Sequence, residues 1–200
     1  CLLGRTKTKL VRTAETLNHS HSIYEVDVSS KNEVTKVMQV IKEEDGQIDL
    51  LINNAGVGVF NLTENLDEDS VHQMIDTNLK GTIFCTQAVL NDMKKRNQGY
   101  IINVISLSGK RAKLTESVYS ASKFGARGFT ENLALELEDS AIRVLGAYMG
   151  NMKTELWDGA YTEESYMDPD DVADVIMESI KSRKNVLVEE VVIRDSRNKH

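Results

Sequence analysis

The sequence is short of three things, and each shortage excludes something. It has two cysteines, Cys1 and Cys85, in 200 residues. Two cysteines make no disulfide framework, and Cys85, inside an apolar segment, reads as a reduced core residue. It has no apolar segment long enough to span a bilayer. It is also short of positive charge: 24 Lys and Arg against 31 Asp and Glu give a formal net charge of -7 and a pI near 5.2. Nucleic acid and anionic membrane surfaces both recruit basic patches, so neither is expected as a partner. Repeats, linkers and low-complexity segments are missing as well, so nothing marks a second domain. Residues 1–200 are expected to form one domain with a substantial core. A reducing cytoplasm is the default location.

What is present is an alternation of apolar runs and amphipathic segments. Apolar runs at 23–28, 48–52, 100–105, 142–148 and 185–193 read as strands. The run at 48–52 is nearly continuously apolar, as a parallel strand buried on both faces should be. Helical patterns fall at 8–17, 33–44, 67–97 (two in succession), 118–138 and after Pro169. In the 33–44 segment, Val34, Val37, Met38 and Ile41 form a core stripe. Asp168-Pro169 supplies a cap and an N1 proline for the last helix. This alternation predicts an α/β fold: a doubly wound, mostly parallel sheet with helices on both faces, three layers deep.

The chemistry is concentrated at a few positions. Tyr119 and Lys123 stand one helical turn apart in Tyr119-Ser120-Ala121-Ser122-Lys123, so phenol and ammonium share a face. A lysine charge beside a phenol favours the phenolate and suits it to proton transfer. Ser106 follows the apolar run that ends at Ile105, and Ser108 is its near neighbour. Asn53-Asn54-Ala55-Gly56 follows another apolar run, where small residues let a backbone approach a flat ligand. Asn78 sits where the two helical patterns of 67–97 join.

These motifs, in this order and spacing, resemble the short-chain dehydrogenase/reductase family of the compact single-domain kind. The resemblance covers essentially the whole chain and implies a Rossmann-like fold and a nicotinamide cofactor. It implies that Tyr119 is the general acid/base, that Ser106 steadies the substrate oxygen, and that Lys123 holds ribose hydroxyls and lowers the tyrosine pKa. Asn78 would hold a water in a proton relay, or serve as a buried structural asparagine. Asn53 and the backbone of Ala55 and Gly56 would border ribose and nicotinamide, while Asn54 braces neighbouring strands. Asp27 and Val28 would meet the adenine; Asp27 can equally cap the following helix. Arg5, which follows the second strand of the family pattern, leans toward the 2′-phosphate of NADP, with NAD possible; a plain solvated arginine is the alternative. Thr154 would hold the carboxamide, although Met149 stands where the family usually has proline. The resemblance calls for no metal. It implies a small-molecule carbonyl or alcohol substrate, a lid over residues 157–167 bearing Trp157, Tyr161 and Tyr166, and a homodimer or homotetramer.

The family's first strand and Gly-rich phosphate turn are not in this sequence, and Gly4 does not replace them. They are expected to precede Cys1 in the native protein, because losing a central strand leaves unpaired backbone groups in a slot. The competing reading is a non-catalytic binding or interaction protein on the same scaffold. NADPH separates the two: an enzyme of this kind should rise in melting temperature with NADPH, or show quenched Trp157 fluorescence. No response from the full-length protein would favour the binding protein.

Overall fold

The computed structural model describes residues 1–157, 166–181 and 186–197. Its strands are β1 (Leu2–Gly4), β2 (Ile23–Glu25), β3 (Leu50–Asn53), β4 (Gly99–Val104), β5 (Ile142–Met149) and β6 (Glu190–Ile193). Its helices are α1 (Lys7–Ala14), α2 (Lys31–Glu44), α3 (Glu68–Ile75), α4 (Thr82–Arg96), α5 (Ser117–Glu136) and α6 (Pro169–Ile180). All ladders between these strands are parallel. β1 pairs with β2, and β3-β4-β5-β6 form a second sheet. No ladder joins the two sheets among the described residues, and Ile52 of β3 is 44% exposed.

Strand periodicity divides the core in two. Ile101 and Val144 face the helices α2, α4 and α5, packing with Val34, Met38, Val89 and Leu133. Their neighbours Ile102 and Leu145 point the other way, onto Val172 and Ile176 of α6. Successive strand residues face opposite sides, so a continuously apolar strand fills both layers at once. Ile101 and Ile102 are fully buried, each contributing roughly 1.5–3 kcal/mol over exposure.

Local signals set the element ends. β2 is shorter than its apolar run because Asp27 turns the chain: its Oδ1 accepts from the N–H and the hydroxyl of Ser29 at 2.9 and 2.7 Å. Ser30 then caps α2, while Glu33 Oε2 reaches back to the N–H of Asp27 at 3.0 Å. Asp168 caps α6 and Pro169 takes its first position. The two helical patterns of 67–97 run on through a π-helical segment, Asp76–Gly81, with Asn78 inside it. A π-turn inserts an extra residue and re-aims the side chains around it.

One polar chain crosses the sheet. Asn53 Nδ2 of β3 donates to Thr86 of α4 at 3.1 Å and to Asn103 Oδ1 of β4 at 2.8 Å. Asn103 Nδ2 donates to Thr130 of α5 at 2.8 Å, and Thr130 donates on to the carbonyl of Ala126 at 2.7 Å. All four side chains are buried, so each would be costly to leave unpaired. Asn103→Ala is expected to destabilise the fold by about 2–4 kcal/mol. Chemical denaturation measures this, and an unchanged midpoint would show that the chain carries no such coupling.

Candidate active site

The C-terminal ends of the parallel strands form one edge of the molecule. Arg5 follows β1, Asp27 and Val28 follow β2, Asn53 to Gly56 close β3, Ser106 follows β4, and Thr154 lies beyond β5. In open parallel sheets this edge is where ligands bind. Helix α5 lies beside it and turns Tyr119 and Lys123 inward, leaving them 6% and 5% exposed.

The four groups singled out in the sequence meet there. Ser106 lies close enough to the phenol of Tyr119 to lower its pKa. Lys123 Nζ lies 5.7 Å from the centre of the Tyr119 ring and donates to the carbonyl of Val104 at 3.3 Å. A methyl built onto Gly56 would lie 3.5 Å from both Lys123 Nζ and Asn78 Oδ1, so ammonium and carboxamide share one small, exposed backbone surface. That surface leaves room for a flat ligand beside Lys123.

Asn78 is fully buried. Its Oδ1 accepts from the N–H of Val57 at 2.8 Å, and its Nδ2 donates to the carbonyl of Val57 and to Ser122 Oγ, both at 2.9 Å. It therefore braces the loop after Gly56 against α5, and one lone pair of Oδ1 remains.

The Asn53 side chain takes the bracing part expected of Asn54. The Asn53 side chain is committed to Thr86 and Asn103, so Asn53 braces the strands, while Asn54 is exposed at the edge. The alternation of strand side chains decides this: the last strand residue points into the layer, and the next one leaves it. Asp27 spends one carboxylate oxygen on Ser29. Val28 packs on Gly81, where an added methyl would come within 2.8 Å of it. Arg5 is exposed. Met149, in the place of the usual proline, is a buried ladder residue paired with Ile193. A bridge ties Met167, the last residue of the expected lid, to Met152 before it, and Tyr161 lies outside the described residues. No group of His, Cys, Asp or Glu fit to hold a metal occurs among the described residues.

Burial governs the electrostatics. The Tyr119 phenol is pushed up to about 12, first by burial; the Ser106 hydroxyl lowers it and the Glu116 charge raises it further. The same burial draws Lys123 down to about 8. The phenol is thus held protonated at neutral pH, where the sequence pattern had predicted a depressed value. Desolvation by burial is the dominant cause of that rise.

Three neighbours had no part in the site expected from the sequence. Phe60 meets the Tyr119 ring edge-on, with centroids 5.4 Å apart. Ser108 and Glu116, both buried, bond to each other at 2.5 Å. Ser108 stood out only as the near neighbour of Ser106, and its contact with Glu116 spans a loop whose path no periodicity gives.

A family model described as short chain dehydrogenase matches residues 1–165. An uncharacterized oxidoreductase of Staphylococcus saprophyticus is 33% identical over 198 residues, covering 96% of this chain and 85% of its own length. Among solved structures, a serine dehydrogenase complexed with NADP+ superposes with a TM-score of 0.91 at 26% identity, covering 99% of this chain and 85% of that one. An alcohol dehydrogenase from Thermococcus sibiricus complexed with 5-hydroxy-NADP gives 0.89 at 25% identity, covering 100% and 86%.

Ser106→Ala removes the hydroxyl that lowers the phenol, so the Tyr119 titration should move further up. Carbon-13 NMR of labelled tyrosine, with Tyr119→Phe to assign the signal, reads this directly. A downward shift would refute the contact.

Proposed function

This chain belongs to the short-chain dehydrogenase family, and on that basis we propose that it is an NADP-dependent oxidoreductase interconverting a carbonyl and an alcohol on a small molecule. The observation that carries this reading is the meeting of Tyr119, Ser106 and Lys123 at the C-terminal ends of β3 and β4. NADP over NAD is supported by the exposed Arg5 and by the NADP complexes of two similar structures.

A bound nicotinamide would supply the hydride. Tyr119 gives its proton to the substrate oxygen in reduction, and a phenol held protonated by burial is in the right state to do so. Ser106 hydrogen-bonds that oxygen and steadies the charge that develops on it. Lys123 holds the ribose hydroxyls from the floor of the site and keeps a positive charge there at neutral pH. Asn78 fixes the Gly56-Val57 loop and offers its remaining lone pair to a water that links Lys123 to solvent. The cofactor is held further by the backbone of Asn53, Ala55 and Gly56, by Asp27 and Val28, by Arg5 at the 2′-phosphate and by Thr154 at the carboxamide. The enzyme works as a single domain, in the cytoplasm, as a homodimer or homotetramer; the exposed Phe124 and Leu135 of α5 support an interface on that helix.

Tyr119→Phe tests the reading. NADPH should bind with unchanged affinity while carbonyl reduction, followed across a panel of aldehydes, ketones and sugars, falls by about a hundredfold or more. Turnover equal to that of the wild type would end it.

A further inference from the structure

Glu116 occupies the N-cap of α5, with φ −113 and ψ 23, yet its side chain caps none of the helix N–H groups. A carboxylate at that position is ordinarily drawn to those donors and to the helix dipole. Here it turns away and is 4% exposed. Its Oε2 accepts from Ser108 Oγ at 2.5 Å, and its Oε1 pairs with Lys113 Nζ at 3.1 Å. Burying a carboxylate costs several kcal/mol unless it is paired and hydrogen-bonded, and these two partners meet that need.

The residue before it is held in place as well. Thr115 has φ 65, in the left-handed region, where a non-glycine residue carries a strain of about 1 kcal/mol. Its carbonyl accepts from the N–H of Asn61 at 2.9 Å, and Thr63 donates to Ser117 at 2.9 Å. The loop after β3 therefore fixes both sides of Glu116.

Ser108 in turn donates its own N–H to Ser106 Oγ at 3.1 Å. Hydrogen bonds run from Glu116 to Ser108 and from Ser108 to Ser106, which stands beside the Tyr119 phenol, and the first turn of α5 leads back from Tyr119 to Glu116. We propose that Glu116 is a positioning residue for the reaction, acting through Ser108 to orient the Ser106 hydroxyl against the Tyr119 phenol. The N–H of Ser108 occupies a lone pair of Ser106 and leaves its proton to be aimed at the substrate oxygen. The proposal rests on the catalytic reading of Ser106 and Tyr119.

The test uses the full chain with NADPH and 4-nitrobenzaldehyde as the carbonyl probe, in five forms: wild type, Tyr119→Phe, Ser108→Ala, Glu116→Ala and Glu116→Gln. Ser108→Ala and Glu116→Ala should each lose roughly tenfold or more in kcat. Their KM and their affinity for NADPH should stay within about twofold, since neither side chain holds a ligand. Glu116→Gln keeps an oxygen acceptor for Ser108 and should restore most of the rate. Should Glu116→Ala fail to fold, Ser108→Ala and Glu116→Gln carry the same comparison. Alanine variants that turn over at the wild-type rate would overturn the proposal, and so would a glutamine variant as slow as the alanine one. If Tyr119→Phe is inactive in that same series, the catalytic reading survives and only the role of Glu116 fails. If Tyr119→Phe is active, the catalytic reading itself fails.

Discussion

The site depends on how closely α5 can approach the end of β4, and Gly109 sets that distance. A methyl on Gly109 would lie 2.9 Å from both the carbonyl oxygen of Lys123 and a methyl of Ile105. Without a side chain there, the loop leaving β4 rests against the backbone of α5. Each polar contact between the two elements needs that proximity: Ser106 with Tyr119, Ser108 with Glu116, and Lys123 with the carbonyl of Val104. Hydrogen bonds fail beyond a few tenths of an ångström from their preferred length, so a small displacement of the loop would weaken all three together.

The second support comes from the α3–α4 rod. Its π-helical segment presents Asn78 to the loop after Gly56 on one side and to Ser122 on the other. Nearby, Gly125 of α5 leaves space for Leu79, which a methyl would meet at 2.8 Å. The segment is therefore clasped between α5 and the strand ends. The polar chain from Thr86 to Thr130 continues the same tie through the sheet. Placement of the candidate site residues and fold stability thus draw on a shared set of buried amides and hydroxyls.

Much of the architecture was legible in the pattern of residues. The strand and helix order follows from apolar periodicity and from caps such as Ser30 and Asp168, because those signals are local. The exits of the strands and the Tyr119–Lys123 turn could likewise be found by spacing alone. The element ends were less exact: β2 stops at Glu25 because Asp27 closes its own turn with Ser29. Which of Asn53 and Asn54 faces inward depended on where β3 leaves the sheet, and a shift of one residue reverses the side.

The sequence by itself determined the α/β alternation, the parallel strands and the choice of four candidate site residues, since each depends on neighbours a few positions away. Only the tertiary structure decided their electrical state and their company. A phenol beside a lysine in sequence reads as acidified, but burial raises Tyr119 to about 12 and lowers Lys123 to about 8, because desolvation depends on every atom packed around a group. Phe60, Ser108 and Glu116 reach Tyr119 and Ser106 from separate loops, and loop paths are set by packing between elements rather than by any repeat along the chain.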